Sequence, residues 1–348
     1  MDYLVTVAKR PLLRVIAALV SSVLIIFLIS VVNSGPKAAP DFDCTTNGGK
    51  PVPIDISSGE TGSQIAQELF EKGVVKSAQA FFRVAVSDSR SQTIAPGTHL
   101  IDQEICAADA LLQLLDKERI TGLIPIIEGT RASEVKKLFV EAGYSAQEVD
   151  LAFKKVTIQQ PFTTIEGLLF PAQYSFARGT SVADALNSMI ARAYSEIDSA
   201  GFLRGKGKYD AADLLVIASI VQAEGEDQDF GKISRVIFNR LKIGMPLQMD
   251  STVHYVLGSR GEIFLSSKST KIKSPYNTYQ NYGLPPAPIG NPGRNALRAV
   301  TAPDNGDWLY FITVAPGDTR FTSSFDTFNE WKVLYKANLR AGKFEAKR

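Results

Sequence analysis

Residues 214–227 read LLVIASIVQAEGED, and the reading of this stretch decides the fold of the second half of the chain. At 100° per residue, Glu224 shares one side of a helix with Ile217, Ile220 and Val221. The pattern therefore predicts a helix that carries an acid on its apolar side. A carboxyl group so placed is pushed toward its neutral form, as a general acid near neutral pH requires. Glu226 falls on another side and should meet a different environment. The alternative is a helix-end glutamate pointing into water, and the pattern alone does not choose between them.

Downstream, ISRVIFNRLKIGM (233–245) repeats the helical spacing through Ile233, Val236, Ile237 and Leu241, with Gly244 placed to end it. LQMDSTVHY (247–255) then sets Gln248 and Asp250 after a tight turn, facing either solvent or a cleft. His254 stays outside the chemistry, because a lone histidine is more often a surface or core residue. From Ser274 the chain reads SPYNTYQNYGLPPAPIGNPG, too rich in proline and glycine for a helix or a central strand. It is expected to be an ordered loop of ring faces and amides, a surface that suits sugars. A purely structural proline-rich loop is the other reading.

Upstream of the central stretch, PFTTIEGLLFPAQYSF (161–176) opens a region distinct from the one before it, and a module boundary is placed near Gln160. Before it, LIPII (123–127) reads as a strand and leads through Glu128-Gly129-Thr130 into a helix bearing Val135, Leu138 and Phe139, closed by Gly143. Ser145 caps a further short helix to about Lys155. Further back, a strand at Val52–Ile56, a helix over Ser63–Lys72 ended by Gly73, a helical run after Ser77 and a returning strand at THLI (98–101) predict a β-α-α-β unit. The expected fold class is thus α+β, with a mixed α/β region in the second half.

Residues 33–50 lack apolar periodicity and read as a spacer that lets the folded part stand off the N-terminal segment. From Val15 to Val32 no charge interrupts VIAALVSSVLIIFLISVV, a length that nearly spans a hydrocarbon core. Lys9, Arg10 and Arg14 precede it, so residues 1–14 should be cytoplasmic, 15–32 a single transmembrane helix, and the remainder outside the cytoplasmic membrane. A cleaved signal peptide is the rival, but so long an apolar region is more typical of an anchor. Cys44 and Cys106, the two cysteines, both fall on the outer side, where a disulfide can persist, although two free thiols fit equally well. Two cysteines and two histidines make no convincing metal site. No cofactor is implied. A net charge of +2 gives no field that would select nucleic acid as a partner.

Taken together and in these relative positions, SIVQAEG, FNRLKIGMPLQMDSTV, SPYNTYQNYGLPPAPIGNPG and IEGLLFP resemble the YceG-like family of endolytic murein transglycosylases, over roughly Val52–Phe321. The resemblance implies a LysM-like subdomain at 51–118, a connecting region at 119–160 and a catalytic domain at 161–348. It implies that Glu224 is the catalytic acid, and it matches Glu166, Gln248, Asp250, Tyr276, Asn277, Thr278, Tyr279 and Asn291 to cleft positions that bind substrate. The sequence departs from the family at Ala172-Gln173, commonly Asp-Thr, and at Thr319 and Phe328, where many members have histidine.

The implied reaction is cleavage of the MurNAc–GlcNAc bond of peptidoglycan strands to leave 1,6-anhydroMurNAc ends, with Glu224 as acid and then base. Peptidoglycan strands are the expected partner, with peptidoglycan synthases as a further partner class. Two rivals remain open at this point. One is a non-catalytic, membrane-anchored peptidoglycan-binding protein. The other, a cytoplasmic pyridoxal phosphate lyase, would need a Schiff-base lysine and a phosphate cup, on the opposite side of the membrane from the expected domain.

Overall fold

The computed structural model describes residues 39–45, 48–57, 59–259, 265 and 268–344. The cytoplasmic segment and the helix expected at Val15–Val32 lie outside them. Among the described residues no helix is long and apolar enough to cross a membrane. The fold is α+β and divides into two compact units, one ending at Ala95 but taking in His99–Arg119, the other comprising Pro96–Thr98 and the chain from Ile120 onward.

In the first unit β1 (Pro51–Ile56) leads to α1 (Gly62–Glu71), α2 (Ala78–Ser87), β2 (Gly97–Asp102) and α3 (Ala107–Leu115), with β1 beside β2. Local chemistry sets the helix ends. Thr61 and Gln64 cap α1 reciprocally, and the Ser77 hydroxyl accepts the Ala80 N–H at 3.2 Å to start α2. Ile54, Leu69, Phe81, Ile101 and Leu111 fill the core between them. The segment expected to be a free spacer is partly docked here. Pro40 accepts a hydrogen bond from Ser77 Oγ at 2.7 Å, Asp41 accepts the first N–H of α3, from Ala107, at 3.1 Å, and Cys44 is joined to Cys106 by a disulfide.

The second unit starts with the short strands β3 (Ile120–Thr121) and β4 (Ile124–Ile126), then α4 (Ala132–Glu141) and α5 (Ala146–Lys155). β5 (Ala172–Tyr174) returns to pair antiparallel with β4, Ile124 opposite Tyr174. This pairing crosses the boundary expected near Gln160, and one continuous core runs from Ile124 to Val300. The region 119–160 therefore belongs to the same folded body as the helices C-terminal to it. α6 (Val182–Ser199), α7 (Ala211–Glu224), α8 (Phe230–Lys242), α9 (Asp250–Leu257) and α10 (Arg294–Thr301) come next, then the hairpin β6 (Tyr310–Ala315) and β7 (Asp318–Thr322), and α11 (Phe325–Arg340).

α7 is the centre of this unit. Every residue from Leu214 to Val221 is buried, so the helix has no polar side in its middle, contrary to the one-sided pattern expected. A helix that is apolar all round must be covered all round, and α8, α9 and α10 all pack on it. Asp210 starts it by accepting the N–H groups of Ala212 and Asp213 at 2.9 and 3.0 Å. It ends on Glu224.

The disulfide closes a sequence separation of 62 residues. Replacing Cys44 and Cys106 together by serine should cost about 4 kcal/mol of first-unit stability through the freed chain entropy of the unfolded state. Denaturant unfolding of the full chain, followed by hydrogen exchange at α1 and α3, measures this. Unchanged protection would show that the Pro40 and Asp41 contacts hold the segment without the bridge.

Candidate active site

Glu224 is half-buried at the last position of α7. Gly225 follows, and a Cβ there would sit 2.3 Å from Ile233 Cδ1 of α8, so that a larger residue would force the Ile233 side chain to shift. The Glu224 Oε1 atom accepts the backbone N–H of Ser251, in the first turn of α9, at 3.1 Å. Burial pushes the carboxyl above its ordinary range. Hydrogen bonding from Ser251 opposes this, the Asp250 carboxylate adds to it, and Arg240 pulls back weakly. The negative end of the α7 dipole acts in the same upward direction. Glu226 lies beyond the helix, exposed, and accepts a hydrogen bond from its near neighbour Gln228 at 2.6 Å.

Asp250 and Arg240 both act on the acid, and Gln248 stands two residues before Asp250. Asp250, first residue of α9, accepts the Tyr279 hydroxyl, and burial together with that bond drives the Tyr279 phenol well above its usual range. Arg240 is buried, donates from Nε to the Leu309 carbonyl at 2.6 Å and from its guanidinium to the Leu247 carbonyl, and lies over the Tyr310 ring. Gln248 is exposed and takes a φ of +49°, an uncommon conformation for a non-glycine residue. Its N–H is held by the Thr278 carbonyl at 3.1 Å.

Not every expected substrate contact faces outward. Asn277, Thr278 and Asn291 are fully or almost fully buried, and their polar atoms are committed to the protein. Asn277 donates to the Thr270 and Ile272 carbonyls and accepts the Tyr279 N–H at 3.0 Å. Thr278 accepts the Met249 N–H at 3.0 Å and pairs with the Thr252 hydroxyl. Asn291 accepts the Leu169 N–H at 2.8 Å and donates to the Thr130 carbonyl at 2.6 Å. A proline-rich loop has no ladder of its own, so buried amides satisfy the backbone groups around it. These three are braces, whereas Tyr276 and Tyr279 remain half-buried.

Glu166 lies in a second, adjoining place. It is 8% exposed, and accepts the Ala132 N–H at 2.9 Å and the Tyr255 hydroxyl at 3.1 Å. Burial raises its pKa to about 7 against these bonds and the Arg131 charge. Gly167 beside it has a φ of +87°, and a Cβ there would meet Pro288 at 2.8 Å, so the loop and this turn require glycine. The carboxyl lines a cleft of about 640 Å³ with Arg131, Lys136, Lys154, Tyr255 and Tyr276. Tyr255, Arg131 and Arg240 escaped the sequence reading. Arg240 alone carried a signal, a cation three and four residues from Ile237 and Val236 on an apolar side.

His254 instead faces the Ser259 hydroxyl at 3.2 Å. The one cluster of candidate metal ligands among the described residues, Cys44, Cys106 and Asp109, has both its sulfurs in the disulfide.

The YceG-like family model matches residues 54–333. The endolytic murein transglycosylase of Bacillus subtilis (strain 168) is 33% identical over 308 residues, covering 82% of this chain and 84% of that protein. The endolytic murein transglycosylase of Streptococcus pneumoniae serotype 2 is 33% identical over 153 residues, 42% of this chain and 28% of that one. A crystal structure of a putative yceG-like protein from Listeria monocytogenes covers 81% of this chain and 98% of its own, with a TM-score of 0.54 at 24% identity, a likeness of fold.

Asn291→Ala separates bracing from ligand contact. It would orphan the Leu169 N–H and the Thr130 carbonyl, at about 1–3 kcal/mol for each buried group. The expected result is a lower denaturant midpoint with glycan affinity of the folded protein retained. Intact stability with lost affinity would return Asn291 to the ligand surface.

Proposed function

The chain belongs to the YceG-like family, and from that premise we propose that it is a peptidoglycan lytic transglycosylase that cuts the MurNAc–GlcNAc bond within glycan strands and leaves 1,6-anhydroMurNAc ends. The observation that carries the mechanism is the Glu224 carboxyl, shielded, raised in pKa and fixed by the Ser251 N–H. A carboxyl whose proton affinity is raised in this way holds its proton more readily and is suited to deliver it.

The proton passes from Glu224 to the glycosidic oxygen as the bond from that oxygen to MurNAc C1 breaks. The GlcNAc hydroxyl leaves, and positive charge develops at C1 and the ring oxygen. The MurNAc 6-hydroxyl then attacks C1, and its proton returns to Glu224. No water is consumed, and the carboxyl ends as it began. Asp250, oriented by Tyr279, supplies negative charge that favours the cationic stage, and the electrostatic value of such a fixed charge grows as water is excluded. Gln248, Tyr276 and Tyr279 offer the amide and ring surfaces for the sugars, while Arg240 fixes the 247–249 turn from behind. Bringing the 6-hydroxyl to C1 is a proximity effect, which is why a braced loop serves this reaction better than a mobile one.

The anchor read at Val15–Val32 would hold the enzyme to the cytoplasmic membrane with both units outside, beside its substrate and within reach of peptidoglycan synthases. The Cys44–Cys106 disulfide supports that placement, since such bonds persist in oxidising compartments. The β-α-α-β order of the first unit supports the LysM-like reading of 51–118.

Glu224→Gln keeps the side-chain size and removes the proton. Release of anhydro-ended fragments from purified strands, read by mass analysis, should fall about 10²- to 10⁴-fold, while Glu226→Gln, outside the helix, retains most activity. A folded Glu224→Gln protein cutting at the native rate would move the acid elsewhere. The native rate should also decline as pH rises through the raised Glu224 pKa, because the working form is the protonated one.

A further inference from the structure

Ser251 and Tyr255 lie four residues apart on α9, on one face of that helix and separated by roughly 6 Å along its axis. Ser251 holds Glu224 and Tyr255 holds Glu166. The loop runs parallel to this face, with Tyr279 on Asp250 at one end and the Tyr276 ring against Tyr255 at 5.0 Å at the other. The Glu166 cleft thus begins about one helical turn from the acid, and its chemistry differs from that of the loop. Three cations line it. Arg131 lies over the Tyr255 ring and donates to the Ser259 carbonyl at 3.0 Å. Lys136 shares Asp150 at 2.7 Å in a partly exposed pair, an arrangement worth little on its own. Lys154 is exposed on α5.

A neutral sugar gains little from such a rim. A carboxylate gains from it, and the tyrosine rings offer apolar walls to the carbon chain that carries the carboxylate. We propose that this cleft binds the carboxylate-bearing peptide carried by the lactyl group of the MurNAc residue being cut, so that the strand is positioned by its peptide as well as by its sugars. The assignment rests on the transglycosylase reading of the Glu224 site. It adds a determinant of specificity: strands with free peptide carboxylates are held, and stripped or amidated strands are held less well.

Glu166 makes the cleft sensitive to pH. The charged and titratable groups facing it are Arg131, Glu134 and Lys136 from α4, Lys154 with Asp150 from α5, Tyr255 from α9 and Tyr276 from the loop. Ionised, Glu166 repels an incoming carboxylate; protonated, it does not. A bound carboxylate therefore raises the Glu166 pKa from about 7, binding takes up a proton, and affinity tightens as pH falls from 8 to 6. By linkage the change is at most about tenfold over that interval.

Calorimetric titration of the full-length chain in detergent tests this, using a synthetic MurNAc-peptide with free carboxylates, the same compound with its carboxylates amidated, and inorganic phosphate. The free-acid compound should bind at least fivefold tighter than the amidated one at pH 6, and phosphate should not displace it. Lys154→Glu, at an exposed position that the fold tolerates, should remove that preference. Glu166→Gln should keep the preference and lose the pH dependence. Equal affinity for the two peptides, an unaffected Lys154→Glu protein or displacement by phosphate at comparable concentration would overturn the proposal. Cutting of naked strands is scored separately. A protein that makes anhydro ends without discriminating peptides loses the cleft assignment and keeps its activity, and one that discriminates peptides without making anhydro ends does the reverse.

Discussion

α7 cannot show a polar side chain to solvent anywhere in its middle, because Leu214–Val221 are buried without a break. That constraint organises the second unit. Surrounding helices must close around the apolar rod, and a polar group can emerge only where the rod stops. Glu224 occupies that stop. Its carboxyl meets the start of α9 head-on, so the end of one helix and the beginning of another share a single hydrogen bond at the acid. The two dipoles push the proton affinity in opposite directions, upward from the α7 end and downward from the α9 end. Burial decides the balance upward.

The proline-rich loop is held by a different device. Asn277, Thr278 and Asn291 place side-chain amides and a hydroxyl where a sheet would place backbone partners. The cost of leaving any of those groups unpaired in the interior makes the loop conformation close to unique. Gln248 can hold its positive φ because Thr278 fixes the turn from the far side. Rigidity of the loop is thus derived from side chains whose polar atoms are bonded within the protein.

Much of the local structure was legible because it depends on neighbours in the chain. Ser77 and Ser145 announce helix starts by hydrogen bonds spanning three residues, and Gly73 and Gly143 announce ends through positive φ, whereas the Thr61–Gln64 cap went unread. That Glu224 stands at a helix end could be read as one of the two alternatives its stretch allowed. The partners that define its environment could not, since Ser251 lies 27 residues away and contributes a backbone group that any residue would offer. The β4–β5 pair is invisible for a similar reason: LIPII reads as a strand, but its partner β5 is three residues long, too short for a period of two to declare itself. From the sequence the asparagines of the loop could serve backbone carbonyls or sugar hydroxyls alike, because a donor-acceptor side chain suits both, and their burial was not legible. Tyr255 and Arg131 carried no pattern at all, being drawn together by the packing of α4 against the turn that bears Glu166.

The docking of Pro40, Asp41 and Cys44 onto the first unit fixes the length of the leash. If the proposed anchor ends at Val32, the residues numbered 33–38 are all that remain to connect the bilayer to a body against whose core the partly buried Ala39 already packs. Six residues reach no farther than about 20 Å even when fully drawn out. Under the proposed anchoring, the first unit would be confined to a thin zone against the membrane, as a tool on a short chain is confined to its bench. Under that anchoring, strands that had moved outward from the membrane would lie beyond its radius.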